Sequence, residues 1–202
     1  MSIDPTTMFK ISYGLFVLTA RDGERDNGCI INTAMQVTEQ PHVVSVTVNK
    51  ANHTCDMIQK TKEFNISILT QKTTFELFKQ FGFESGRLVD KFANVSYQER
   101  MANGIRYVPE YTNGVISGKV LQSIDCGTHM LFIADVTEAI TISDEPSATY
   151  QYYFDHIKPK PEGQKQGFIC SICGYVFDGD VLPSDFICPL CKHGADAFEL
   201  SN

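Results

Sequence analysis

The last 37 residues of this 202-residue chain contain two Cys-x-x-Cys pairs, Cys170/Cys173 and Cys188/Cys191, separated by 14 residues. No other feature of the sequence limits the fold as tightly. Each pair presents two thiolates from one tight turn, and two such turns facing each other make a tetrahedral four-sulfur site for zinc or iron. A segment under about 40 residues rarely folds without a metal or disulfides, so metal binding is expected to be a condition for this module to exist. Two disulfides are the competing use of four cysteines. Paired CxxC motifs within an odd total of seven cysteines favour metal ligation in a reducing compartment instead. A closed four-thiolate site offers no open coordination position to a substrate; if it holds iron, it passes single electrons.

Charge divides the chain in the same place. The formal net charge is -7, and residues 166–202 hold five acids against one base, a net of -4. Residues 1–165 are nearly balanced, with 19 acids and 16 bases. This balance argues against a nucleic-acid partner or an anionic membrane, either of which needs a basic surface. The acidic tail instead points to a protein acceptor with a complementary basic patch. Hydrophobic residues make up 43%, enough for a real core. No apolar run approaches the ~20 residues of a membrane span. The apolar stretch 11–20 follows Asp4 and runs straight into Arg21-Asp22-Gly23, so it reads as a buried strand and not as an export leader. The expected location is the cytoplasm.

Before the tail, the pattern is mostly extended. Residues 15–20 form an apolar run, 21–28 look turn-rich, and 29–37 read as a returning strand. Residues 43–48 and 64–69 alternate as half-buried strands do, and longer extended stretches cover 114–123 and 130–142. Short helices are expected at 55–60, with Thr54 as N-cap, and at 75–81, with Gly82 as the stop. Strands with scattered short helices predict a mainly β chain built as a closed or nearly closed antiparallel barrel. Neither a GxGxxG nor a GxxxxGK[ST] signature is present. The polar, proline-containing stretch 158–166 reads as an extended linker between a domain at 1–157 and a module at 167–202.

Within the first domain, Lys50, Asn52, His53 and Thr54 form a turn opening a helix, where free amides and the helix dipole favour a phosphate. Arg87 and Lys91 are further cations for the same anion. Each also has a plainer reading: Thr54 as a cap, Lys50 as an exposed turn lysine, Arg87 and Lys91 as a solvated face beside Asp90. Cys29, Cys55 and Cys126 are expected to be buried as small hydrophobes.

Two resemblances add to this reading. In the tail, Cys173-Gly-Tyr-Val-Phe-Asp178, Leu182-Pro183, Phe186 two residues before Cys188-Pro-Leu-Cys191, and Phe198 resemble a rubredoxin, whose iron–tetrathiolate centre cycles between ferric (Fe3+) and ferrous (Fe2+). The loop between the cysteine pairs is shorter than in free-standing rubredoxins, and Phe186 stands where those usually carry Trp. Residues 14–20, 27–36, 49–54, 81–92 and 127–136, in that order, resemble the flavin reductase-like, FMN-binding split-barrel family. That resemblance implies an FMN-binding split β-barrel with short helices, FMN as cofactor, NAD(P)H as substrate and a homodimer. It places the FMN phosphate on Lys50, Asn52, His53, Thr54, Arg87 and Lys91, and Asn32 and Thr33 along the flavin. His129 falls near the flavin and nicotinamide, a candidate catalytic position.

The fusion of the two resembles the high-molecular-weight rubredoxins. It implies electron flow from NAD(P)H through FMN to the iron, then to an acceptor such as a flavodiiron protein that reduces oxygen or nitric oxide. Two other functions remain open at this stage. One is a flavin reductase that releases reduced FMN and carries a structural zinc ribbon. The other is a non-enzymatic FMN-binding interaction protein with a zinc-stabilised tail.

Overall fold

The structure, a computed structural model, describes residues 7, 10–159, 167–171, 175–188 and 193–200. The chain divides into two compact units, Met1–Tyr153 and Phe154–Asn202.

The first unit is built on one antiparallel sheet of seven strands: β1 (Phe16–Asp22), β2 (Arg25–Ile31), β3 (Ala34–Thr38), β4 (Val43–Asn49), β5 (Glu63–Leu69), β6 (Thr112–Asp125) and β7 (His129–Thr141). Their spatial order is β2-β1-β5-β6-β7-β4-β3, so the two edge strands follow each other in sequence. In a flat sheet, six inter-strand steps would separate those edges by about 29 Å. The chain from Ile31 to Ala34 spans at most about 11 Å. The sheet must therefore curl until its edges approach, giving a barrel split between β2 and β3. Asn32 and Thr33 are the residues that bridge the split.

β1 and β2 form a hairpin whose two-residue turn is Gly23-Glu24, with Asp22 opposite Arg25. Gly23 takes φ +61, the left-handed conformation that such tight turns require. The turn-rich appearance of 21–28 is thus confined to two residues, and the rest is strand. Asp26 and Asn27, turn formers by composition, are buried in β2 because they find long-range partners. The expected strand 29–37 is instead broken at Asn32-Thr33, where the chain crosses between sheet edges.

The sheet is covered on both faces. Alternation along β5 sends Phe64 and Ile66 into a core with Leu18, Val46, Val48 and Phe132, all at most 1% exposed. Helix α1 (His53–Thr61) adds Cys55, Met57 and Ile58 to that core, so it plugs the barrel. On the opposite face, Thr19, Asn65 and Ser67 are buried but satisfied by the irregular segment 84–111. Thr19 donates to the Arg106 carbonyl (2.6 Å), Asn65 donates to that of Ile105 (2.9 Å), and Ser67 accepts from the Val108 amide (3.1 Å). Polar residues can be buried on a sheet face only when such partners exist.

Helix α1 starts two residues earlier than expected: Asn52, not Thr54, is the N-cap. The second helix, α2 (Phe75–Phe78), continues into a π-helical turn, Lys79–Phe83, which carries the helical path past Gly82.

The second unit contains a three-stranded antiparallel sheet, β8 (Phe168–Cys170), β9 (Val176–Phe177) and β10 (Phe198–Leu200), in the order β10-β8-β9. Of the linker 158–166, residues 160–166 lie outside the described residues.

Candidate functional site

Residues expected to carry the chemistry fall in two places, one in each unit.

In the second unit, Cys170 lies on β8 opposite Phe198 of β10. Its amide donates to the Tyr175 carbonyl (2.8 Å), and the Cys188 amide donates to that of His193 (2.8 Å). Both cysteines are fully buried. Around them Phe186 is the hub of an aromatic cluster, with ring centroids 4.7 Å from Phe177, 5.4 Å from Phe198 and 6.3 Å from Tyr175. So Phe186 keeps the packing role that an indole would fill, with a smaller ring. One cysteine from each CxxC is thus kept from water, as a thiolate metal site requires. This donor chemistry fits a soft tetrathiolate metal. Cys173 and Cys191, the other two expected ligands, lie outside the described residues.

In the first unit, the expected cofactor residues gather at one end of the barrel. The turn after β4 is joined to the β6–β7 turn: the Lys50 amide donates to the Thr128 carbonyl (3.0 Å), and Asn49 is paired with His129. His129 Nδ1 lies 2.8 Å from the Thr128 hydroxyl. Asn52 caps α1 through its backbone and makes no side-chain cap bond, so its carboxamide takes none of the first-turn amides. His53 opens the helix, and its buried Nδ1 accepts no hydrogen bond. Arg87 reaches α1 from the 84–111 segment, its guanidinium 2.6 Å from Asp56. Lys50 and Arg87 both act on the same buried thiol, Cys55. Burial pushes that thiol up to about 11, with Asp56 adding to the rise and the two cations opposing it. The two cations thus flank the first turn of α1. Two cations beside the start of a helix form a donor set that fits a phosphate.

Three expected residues depart from this picture. Thr54 is 0% exposed, and its hydroxyl accepts from the buried Asn27 carboxamide (2.9 Å). Its side chain is inside the protein, and only its backbone belongs to the helix terminus. Lys91 is also buried, at 5% exposed, with its ammonium donating to the carbonyls of Gly28 and Phe81, both at 2.9 Å. Burial lowers its pKa. Neither a solvated face nor a surface anion ligand describes it; it ties β2 to the π-helical turn. Thr33 spends its hydroxyl on the Thr47 carbonyl (2.7 Å), which ties the crossing segment to β4. Asn32 lies beside it, half-buried.

Residues absent from the sequence reading also shape the site. Asp125 holds Lys50 Nζ at 2.5 Å, and this bond draws its carboxyl below the ordinary range. Asp56 sits 3.5 Å from His53 Nδ1 as well as beside Arg87. The i,i+3 spacing of His53 and Asp56 was visible in sequence; the pairing of Lys50 with a residue 75 positions away was not. Gly86 leaves room for Asn27, since a Cβ there would lie 2.1 Å from Asn27 Oδ1. Of the three other cysteines, Cys29 and Cys55 are buried as expected, but Cys126 is exposed in the β6–β7 turn.

A separate apolar cavity of about 420 Å³ lies near the split edge, lined by residues such as Phe16, Met35, Val44, Ile66 and Ile116. None of the expected flavin residues lines it.

Comparison with known proteins agrees with both halves. Residues 8–160 match the family model described as a flavin reductase like domain, and residues 168–199 match that of the rubrerythrin, rubredoxin-like domain. A high molecular weight rubredoxin from Moorella thermoacetica is 34% identical, with 98% of this chain and 99% of that protein covered. A ferric-chelate reductase (NAD(P)H) from Archaeoglobus fulgidus is 33% identical over 75% of this chain and 89% of its own. The solved structure of flavin reductase PheA2 superposes with a TM-score of 0.60 at 24% identity, covering 73% of this chain and 93% of that one, a likeness of fold. The chain belongs to the flavin reductase-like family and carries a C-terminal rubredoxin-like domain, the two-part make-up of the high molecular weight rubredoxins.

Proposed function

We propose that this protein is an electron-transfer oxidoreductase that takes electrons from NAD(P)H through FMN to a rubredoxin-type iron, and from there to an acceptor protein. The observation that carries this reading is the fusion itself. A flavin reductase-like barrel with a cation-flanked helix terminus is joined to a module whose Cys170 and Cys188 are sealed in aromatic side chains. When bound, FMN supplies the conversion of two-electron hydride chemistry into single electrons, which a tetrathiolate iron can carry.

The chain's own residues hold and shield. Lys50, Arg87 and the first turn of α1 bind the phosphate end, with His53 donating from its ring. Asn32 and Thr33 line the ring system where the chain crosses the split. His129, oriented by the Thr128 hydroxyl, is the candidate for contact with the reacting nicotinamide. Cys170, Cys173, Cys188 and Cys191 ligate the iron, and the Phe177, Phe186 and Phe198 rings exclude water from it.

The acidic module docks on a basic patch of the acceptor, and a flavodiiron protein is the candidate. Exposed Met35 and Val37 on the edge strand β3 support a homodimer. No helix among the described residues is long and apolar enough to cross a membrane; a cytoplasmic location fits the four thiolates.

The test is the metal content and visible spectrum of the purified protein, followed by anaerobic addition of NAD(P)H. Iron with a red ferric–thiolate absorption over a flavin spectrum supports the reading. Zinc without that absorption replaces it with a flavin reductase carrying a structural zinc ribbon.

A further inference from the structure

Both outward cations of the candidate phosphate site are already engaged. Lys50 Nζ lies 2.5 Å from Asp125, and Arg87 lies 2.6 Å from Asp56. The two carboxylates come from different elements, the end of β6 and the first turn of α1, yet each meets one of the two cations. With both pairs formed, the side-chain charge of the site is close to zero. A phosphate approaching the helix terminus would then meet two carboxylates as well as two cations.

The pairs are also easily broken. Their side chains are between 37% and 64% exposed, and exposed ion pairs contribute little net stability. A phosphate carries more charge than one carboxylate and more acceptor oxygens, so it is the stronger partner for both cations.

We propose that Asp56 and Asp125 act as built-in competitors of the flavin phosphate. They hold Arg87 and Lys50 in ion pairs; flavin binding transfers both cations to the phosphate and leaves the carboxylates to water. The consequence is an affinity for FMN below what the cations alone would give. This inference rests on the phosphate site described above.

The experiment is a fluorescence titration of FMN, and separately of riboflavin, into the full-length protein. It compares wild type with Asp56→Asn, Asp125→Asn and the double variant. Removing one negative charge within roughly 7 Å of a phosphate at a half-exposed site tightens binding about three- to tenfold. Each single variant should therefore bind FMN about three- to tenfold more tightly, with the double variant tighter still. Riboflavin, which has no phosphate, should respond to none of them. Asp22→Asn serves as the charge control, because Asp22 pairs with Lys60 near the far end of α1. It should leave FMN affinity unchanged.

If the aspartate variants bind FMN no more tightly than wild type, or less tightly, the carboxylates do not compete and the proposal falls. The phosphate site itself survives that result as long as wild type prefers FMN to riboflavin. If wild type shows no such preference, the site reading fails and takes this proposal with it. Equal tightening toward FMN and riboflavin overturns the proposal too, because the effect would then not act through the phosphate.

Discussion

Replacing Lys91 by Met separates a structural cation from a cofactor cation. In the structure the ammonium is 5% exposed and donates to the carbonyls of Gly28 and Phe81 at 2.9 Å. Methionine keeps most of the apolar stem but no donor, so two buried acceptors lose their partner. Each orphaned acceptor costs about 1–3 kcal/mol. Part of this is offset, because the variant no longer buries a charge, a burial that already lowers the lysine pKa. The net loss is about 2 kcal/mol, which for a unit of this size lowers Tm by about 4–8 °C. FMN affinity should change by less than about fivefold, since the charge points away from the surface and acts only at a distance. Thermal unfolding followed by circular dichroism, paired with an FMN titration, measures both quantities. An unchanged Tm together with a greater than tenfold loss of FMN affinity would refute this reasoning and return Lys91 to the phosphate site.

Asp26 invites a second stability test. Its side chain is 3% exposed and meets Arg100 at 2.9 Å and the Arg106 amide at 3.0 Å. Asp26→Asn should cost about 1–3 kcal/mol, because both guanidinium groups keep some contact with water. Limited proteolysis should then cut within 84–111 faster than in wild type, and an unchanged cleavage rate would argue against that anchoring role. The third test concerns alkaline pH. The Cys55 thiol is raised by burial to about 11, while an unfolded thiol ionises near 8.5. Between those values the unfolded chain gives up its proton before the folded one, so stability falls as pH rises. Relative to Cys55→Ala, wild type should lose stability from about pH 8.5 to about 11; parallel pH profiles would contradict this.

The sequence carried the broad architecture because the signals involved are local. Alternation along 43–48 and 64–69, and the CxxC spacing, each depend on neighbours within a few residues. The rubredoxin-like domain was legible as such, since its aromatic residues and cysteine spacing lie within one short segment. Local signals failed where long-range partners decide the outcome. Asp26 and Asn27 look like a turn until Arg100, Arg106 and Thr54 are brought to them. Lys91 looks like a surface cation until two carbonyls from distant segments enclose it. The basic residues of the proposed phosphate site were legible as residue types beside a helix start. Their carboxylate partners were only half so, because Asp125 reaches Lys50 through the β6–β7 turn. The split in the barrel follows from strand order, which no single strand pattern encodes.

The central claim is that electrons entering at the barrel flavin leave through the four-cysteine iron of the same polypeptide. It is tested most directly by anaerobic titration with NADH and NADPH, following the flavin and iron absorption bands in wild type and in Cys170→Ser. The account predicts that at least one nucleotide bleaches both bands in wild type, and that the variant lacks the iron band while its flavin band still bleaches. An iron band that stays oxidised while the flavin is fully reduced would contradict it.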